Sequence, residues 1–507
     1  MNERRIGAAL TYAQTAIHIV VSLLYVPILL SRIGQNEYGM YQLVGSIMAY
    51  IGITESLLSA GVLRFYCKYK AVGDTRSMEN TLAVAQRIYR VLSLVVLLLG
   101  TLLILVIEPI YRSSLTTAEL KEMRWMILVF TGNVIVNLLT YIYTAAINGN
   151  ERFLFSKTLT IVSTMLQPIC VILVIRRYPF ALSVVAAQTA VNFAAALARI
   201  YYARKRLSVR VVYHGRDTEL MKSLLVFSAG IVFAAVADQV FWKADQLILG
   251  KIYGSGIVAI YAVGAQIYGN YSPVGVAVAS VFMPRISQLY HADHDMNSIS
   301  DLFAKTGRLV FLACMLFLSG FFLFGRSFIM LWAGEAFEEA YAVALVVMIP
   351  YTIDVMQHLG LTILQVMNRY AFRGKVYFVI AVLNIVSTII MAKYWGMFGA
   401  ALSTAIAMLL GNGIIMNLYY GSRVGLDLKR FWLGVARLLP AAAAACVVGI
   451  GIRQLFKCET VASLIGGIAL YTVVYFVFMW LFGMNKYEKS ILRSFFGGKG
   501  IRKERQL

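Results

Sequence analysis

The chain has 507 residues, 60% hydrophobic and 14% charged, with a formal net charge of +22. A water-soluble domain of this size must wet most of its surface, so the composition excludes one. Apolar runs recur along the whole length, each near the ~20 residues that cross a bilayer as a helix. They read as an all-α polytopic membrane protein.

The first run, 6–31, follows Arg4 and Arg5 and continues apolar without a small-residue cleavage site. It reads as a retained helix and not as a signal peptide. Thirteen more spans follow, at 39–62, 83–107, 125–147, 154–176, 180–203, 223–250, 255–283, 306–331, 340–366, 374–394, 397–420, 432–454 and 461–483. If the N-terminus is cytoplasmic, most Lys and Arg fall on the cytoplasmic side, as the positive-inside rule requires. Both termini are then cytoplasmic, and the multi-pass chain belongs in the cytoplasmic membrane.

The basic loop "ARIYYARKRLSVRVVYHGR" and the tail "GGKGIRKERQL" lie on that side. They set topology and meet anionic lipid headgroups. Nucleic acid is not an expected partner, because no soluble segment could organise it. The loops are too short for an ATPase, a glycosyltransferase or a kinase domain. Five cysteines lack metal-like spacing, and no disulfide is expected.

A shift of 220 residues superimposes two halves. Gly34 falls on Gly254, Tyr41 on Tyr261, Asn148 on Asn368, "ALS" at 181–183 on "ALS" at 401–403, and Asn192 on Asn412. The repeat holds six spans, an even number, so both copies enter the membrane from one side as a parallel repeat. The implied organisation is an N-terminal lobe at 1–220, a C-terminal lobe at 221–431, two extra helices at 432–484 and a basic tail at 485–507. Two such lobes are expected to face a cleft and rock about it.

Local motifs then carry a resemblance. "YVPILLSRIGQNEYGMYQLV" supplies Pro27, Arg32, Gly34, Tyr38, Gly39 and Tyr41, and "ADQLILGKIYGSGIVAIYAVGAQI" supplies Asp245, Gly250, Gly254 and Tyr261. "INGNERF" and "LQVMNRY" open the fifth and eleventh helices in a similar way. The chain resembles the polysaccharide-export branch (Wzx-type oligosaccharide-lipid flippases) of the MATE-like MOP superfamily over essentially its whole length. That resemblance implies flipping of oligosaccharides linked to undecaprenyl pyrophosphate, with a polysaccharide polymerase and assembly machinery as partners. The superfamily also contains lipid II flippases and multidrug exporters, so an ion-coupled drug or metabolite exporter is the alternative. A membrane-embedded glycan enzyme is a third reading, but no Walker A, Gly-x-Ser-x-Gly or Cys-x-x-Cys pattern is present. No enzyme and no cofactor is expected; coupling to an H+ or Na+ gradient or to the membrane potential is.

Ionisable groups at mid-membrane cost roughly 2.5–3.5 kcal/mol on insertion scales, so each needs a reason. His18 and Glu55 are candidates for the transport path or for bonds between helices. Glu55 could otherwise pair near Arg64 or with Arg87. Asp238 and Asp245 share one helix face, with Asp238 the candidate for transport and Asp245 for bracing the junction of helices seven and eight. Asp354, His358 and Gln365 fall at i, i+4, i+11, just after Pro350, which should kink the helix. Asn133 and Asn137 begin a matching polar stripe in span four. Arg64, Arg87, Arg90, Arg285 and Arg308 near cytoplasmic helix ends are candidate pyrophosphate contacts, since guanidinium binds phosphate bidentately. The alternative is that these arginines only set topology. His291 and His294 are too sparse a set for a metal site, and none is expected.

Overall fold

The computed structural model describes residues 3–56, 58–215, 217–292 and 295–496. Every regular element among them is helical. In chain order these are α1 (Glu3–Ser56), α2 (Ser59–Ala71), α3 (Thr75–Tyr111), α4 (Thr117–Gly149), α5 (Phe153–Ile175), α6 (Ala181–Tyr201), α7 (Thr218–Tyr253), α8 (Ser255–Gly269) and α9 (Ser272–His291). Then come α10 (Met296–Ala333), α11 (Ala340–Met356), α12 (His358–Val366), α13 (Tyr370–Met408), α14 (Met416–Tyr419), α15 (Leu428–Ala436), α16 (Leu439–Phe456), α17 (Val461–Phe478) and α18 (Lys486–Phe496). Asp293 and His294 of the histidine-rich loop lie outside the described residues.

Ten stretches among the described residues are long and apolar enough to cross a membrane. The fourteen spans read from the sequence are therefore not resolved one by one. Two of the ten, Ala13–Glu55 and Tyr370–Val424, are 43 and 55 residues long, more than one crossing needs. Each contains a non-helical break, at Gly34 in α1 and at Trp395–Gly396 in α13. Sequence spans one and two thus run together as α1, and eleven and twelve as α13.

Helix starts are chemically marked. Asp74, Asp217, Asp295 and Asp427 precede α3, α7, α10 and α15, and each carboxylate accepts from the backbone N–H three residues on. This satisfies a donor the helix leaves open. At Asp74 and Asp295 the hydrogen bonds from Ser77 and Ser298 hold the carboxyl below its usual range.

The chain forms two compact units, residues 1–262 with 377–400, and residues 263–376 with 401–507. In the first, α1 packs on α4, α5 and α7, and α4 packs on α3 and α6. Tyr38, Met40, Leu43 and Val44 of α1 are completely buried. In the second, α10 is the hub, packing on α9, α11, α15, α16 and α17. Phe303 of α10 stacks on Phe431 of α15 with ring centroids 4.6 Å apart. Lipid tails are as apolar as leucine, so close approach and hydrogen bonds between helices hold such bundles together.

The repeat is visible in backbone geometry. Gly34 (φ 80°, ψ 175°) and Gly254 (φ 84°, ψ −171°) adopt the same conformation, one open essentially to glycine alone. Further along, the offset changes from 220 to 217. Phe155 stacks on Tyr202 at 3.7 Å, and Phe372 stacks on Tyr419 at 3.8 Å. Glu151 and Asn368 both have positive φ, at 57° and 54°. The equivalent of Asn368 is therefore Glu151. Asn148, its match in the 220 register, lies inside α4. Three residues separate the copies at this point, and a shared Asn does not mark a shared position.

Gly39 sets the closest approach in the first unit. A Cβ there would lie 1.8 Å from the backbone oxygen of Ser255 at the start of α8. Backbone cannot swing aside as a side chain can. Gly39→Ala is expected to cost at least the roughly 1–3 kcal/mol typical of overpacking. A fall in melting temperature of the purified protein, with less folded material in the membrane, is the measurement; an unchanged melting curve would refute the contact.

Candidate functional site

Three clusters of embedded polar side chains stand out, two in the first unit and one in the second. The first centres on Asp245 of α7, which is 2% exposed. Phe241, Ala244 and Leu249 share its inward flank and are buried with it. The Asp245 carboxylate accepts from the Tyr261 hydroxyl on α8 at 2.5 Å and from the Thr388 hydroxyl on α13 at 3.0 Å. Asn384, one turn before Thr388, is fully buried, its side-chain oxygen 3.5 Å from the Thr388 hydroxyl. Next to Asp245, Gln246 accepts from Ser46 of α1. Tyr50, one turn past Ser46, lies within electrostatic reach of Asp245. Four helices thus meet around one carboxylate in an oxygen-rich setting. Asp238, two turns earlier, is half-buried.

The second cluster holds Glu55 at the end of α1. Asn137 of α4 donates to its carboxylate at 3.1 Å, and the charge of Arg199 on α6 acts on it. Tyr141, which also acts on Arg199, lies beside Tyr89, with ring centroids 5.8 Å apart. The Tyr89 hydroxyl is buried without a hydrogen-bond partner. Arg87, one of the pairings open for Glu55 in the sequence, instead sits over the Tyr213 ring at 3.4 Å. Arg199 went unnoticed because it stands at the edge of a basic loop and reads as topology. Its signal was an arginine inside span 180–203.

The third cluster corrects the reading of span ten. Asp354, His358 and Gln365 do not lie on one helix. The helix breaks at Gln357 (φ −95°, ψ 9°), which separates α11 from α12. Asp354 is buried at 8% exposure, while Gln365 is exposed. Pro350 sits inside α11, and the break falls seven residues beyond it. His358 packs near Gly275 of α9, its Nδ1 buried without a hydrogen bond, in electrostatic reach of Asp354 and Arg373. Gln357 is the residue that bonds across helices. Its Nε2 donates to Asn417 Oδ1 at 2.9 Å, and Trp432 Nε1 donates to the same oxygen at 3.0 Å. Asn417 in turn donates to the carbonyls of Asn412 and Gly413, at 2.8 and 3.0 Å. Those carbonyls belong to a π-helical stretch, Leu409–Ile415, whose wider turns leave carbonyls open to such donors.

In α4, by contrast, Asn133, Asn137, Tyr141, Thr144 and Asn148 are all half-buried on one unbroken helix. Asn133 lines a cavity of about 310 Å³ with Thr189 of α6. His18 is exposed on α1. Arg64, Arg87, Arg90 and Arg285 are exposed, and Arg285 donates to Gln288 at 2.9 Å.

Arg308 is different: its guanidinium is bonded inside the protein through all three nitrogens. Nε donates to Glu488 Oε1 at 2.6 Å and Nη2 to Glu488 Oε2 at 3.0 Å. Nη1 donates to the Gly434 carbonyl, and Nη2 also to the Gly483 carbonyl at 3.2 Å. Arg308 therefore ties α10 to α15 and α18, with four of its five N–H donors spent inside the protein. Of the motif residues, Pro27 is half-buried in α1, Arg32 is exposed at its break, and the Tyr41 hydroxyl accepts from Gln188 Nε2 at 3.0 Å.

The polysaccharide biosynthesis protein family matches residues 7–290, more than half the chain. The chain belongs to this family. The matched segment contains the Glu55 cluster and Asp245 with its partners on α1 and α8; Asn384 and Thr388, the Gln357 cluster and Arg308 lie beyond it. An "Uncharacterized membrane protein EpsK" of Bacillus subtilis (strain 168) is 23% identical over 492 residues, covering 95% of this chain and 96% of that protein. A "Putative O-antigen transporter" of Shigella flexneri is 21% identical over 396 residues, covering 76% and 90%. Among solved structures, the lipid II flippase MurJ in an inward closed conformation superimposes with a TM-score of 0.72 at 12% identity, over 96% of this chain and all of that one. An inward-facing multidrug resistance MATE transporter of the MOP superfamily gives 0.63 at 11% identity, over 80% and 94%. These likenesses show the MOP-type fold of an all-helical polytopic membrane protein.

Glu488 is 1% exposed, and removing it strands the Arg308 charge. Glu488→Ala is expected to destabilise the protein by about 3–5 kcal/mol, the usual cost of halving a buried ion pair. Thermal unfolding in detergent would show it; a melting temperature equal to the parent's would place the pair outside the stabilising core.

Proposed function

We propose that the chain moves lipid-linked oligosaccharide repeat units across the cytoplasmic membrane for surface polysaccharide synthesis, by alternating access. The family match over residues 7–290 carries this reading. The O-antigen transporter similarity supports it, as does a MurJ superposition spanning 96% of the chain, against 80% for the MATE transporter. That difference favours lipid-linked cargo over the drug-exporter alternative. The carrier lipid is taken to be undecaprenyl pyrophosphate, and the partners a polymerase and its assembly machinery. Relocation makes and breaks no covalent bond, so the protein acts as a transporter and not as an enzyme.

In this reading α1 and α13 each cross twice, at the Gly34 and Trp395–Gly396 breaks, and α7 and the α8–α9 stretch add two more crossings, giving fourteen spans with both termini in the cytoplasm. Asp245 is the coupling group. A carboxylate held by hydroxyls from α8 and α13 can take up a proton or Na+ and pass the change to both helices. Glu55 with Arg199 is the second charged element of the path.

Reconstituted vesicles carrying a fluorescent lipid-linked oligosaccharide test the proposal. Transfer between leaflets is expected with the parent protein. Asp245→Asn should slow it by about tenfold or more, the kinetic equivalent of roughly 1.4 kcal/mol, at unchanged membrane abundance. Robust drug efflux with no movement of any lipid-linked glycan would defeat the flippase reading. Full transport by the Asp245→Asn protein would remove that residue from coupling while leaving the flippase standing.

A further inference from the structure

A pocket of about 680 Å³ opens in the second unit where α10, α15 and the turn before α18 meet. Lys305 and Arg308 reach it from α10, Arg430 from α15 and Arg437 from the residue that ends α15. Arg430 and Arg437 are two turns apart, so they share a face. Asp301 accepts from Lys305 at 2.6 Å and also binds Arg430, holding the two cations side by side. Glu488 answers Arg308. Among the described residues, no acid pairs with Arg437. Four positive charges thus face two negative ones, an excess of two.

Gathering like charges is costly unless an anion answers them. The rest of the lining suggests which anion. Leu433 and Phe482 at the rim are 51% and 73% exposed, so apolar side chains stand beside the cations. A small hydrophilic ion gains nothing from them. An amphiphile with a phosphate head gains from both, and basic pockets between helix ends at headgroup level bind such lipids.

We propose that this pocket holds the phosphate of an anionic membrane phospholipid, with acyl chains resting on Leu433 and Phe482. Arg437 and Arg430 grip the phosphate, Lys305 completes the charge, and the lipid joins α15 to the start of α18. Arg308 shapes the floor without donating to the lipid. The proposal does not rest on the flippase reading.

The test uses the full chain purified in detergent. Native mass spectrometry is run with phosphatidylglycerol, with phosphatidylcholine, and with millimolar inorganic phosphate as a competitor. The parent protein is expected to retain phosphatidylglycerol over phosphatidylcholine. The double variant Arg430→Ala/Arg437→Ala should retain about tenfold less, from two lost headgroup contacts. Lys222→Ala/Lys429→Ala removes the same charge outside the pocket and should retain as much as the parent. Equal retention by the pocket variant, or an equal loss in the control, overturns the site. Displacement of phosphatidylglycerol by inorganic phosphate overturns its assignment to a lipid. If the double variant unfolds, Arg437→Gln alone breaks no ion pair; unchanged retention there defeats the proposal.

Discussion

The interior of a bilayer offers no water, so each polar group placed there must find its partner in the protein. That constraint organises this molecule more than apolar packing does. Leucine gains little by leaving lipid for another helix, whereas an unmatched carboxylate or guanidinium costs several kcal/mol. The decisive contacts accordingly join different helices, most of them far apart in sequence. Tyr261 and Thr388 meet on Asp245, Asn137 reaches Glu55, Gln357 reaches Asn417, and Arg308 closes on Glu488. Each fixes both the register and the facing of the helices it joins.

The same constraint explains what could be read in the sequence. Apolar runs, glycines at breaks and aspartates at helix starts are local signals, because their causes lie within a turn or two. Gly34 and Gly254 could be matched from the sequence, and the backbone gives them one conformation. Partnership is not local. Arg308 looked like a phosphate contact because its position near a helix end is local, while Glu488 is 180 residues away. Gln365 was read as part of a stripe because helical spacing assumes an unbroken helix, and the break at Gln357 carries no proline or glycine to announce it. Arg199 was hidden by its basic neighbours.

The two copies of the repeat have kept their turns and changed their chemistry. The stacked pairs Phe155–Tyr202 and Phe372–Tyr419 preserve one corner almost unchanged. On the helices between, the amide of Asn137 meets the carboxyl group of Glu55, while Gln357 meets the amide of Asn417. Helix α4 is continuous, whereas its counterpart is divided into α11 and α12.

These two differences belong together. A carboxyl group such as Glu55, under the field of Arg199, is sensitive to protonation and to any ion that approaches it. A neutral amide pair is indifferent to both, and it sits at a break where the backbone bonds shorten to a three-residue spacing, Gln357 N–H donating to Asp354 O and Gly360 N–H to Gln357 O. One copy therefore brings an ionisable carboxyl onto the unbroken α4, and the other places a neutral amide pair at the break between α11 and α12. Duplication supplies two similar bundles; divergence has given the first an ionisable contact between helices and the second a neutral one at a break.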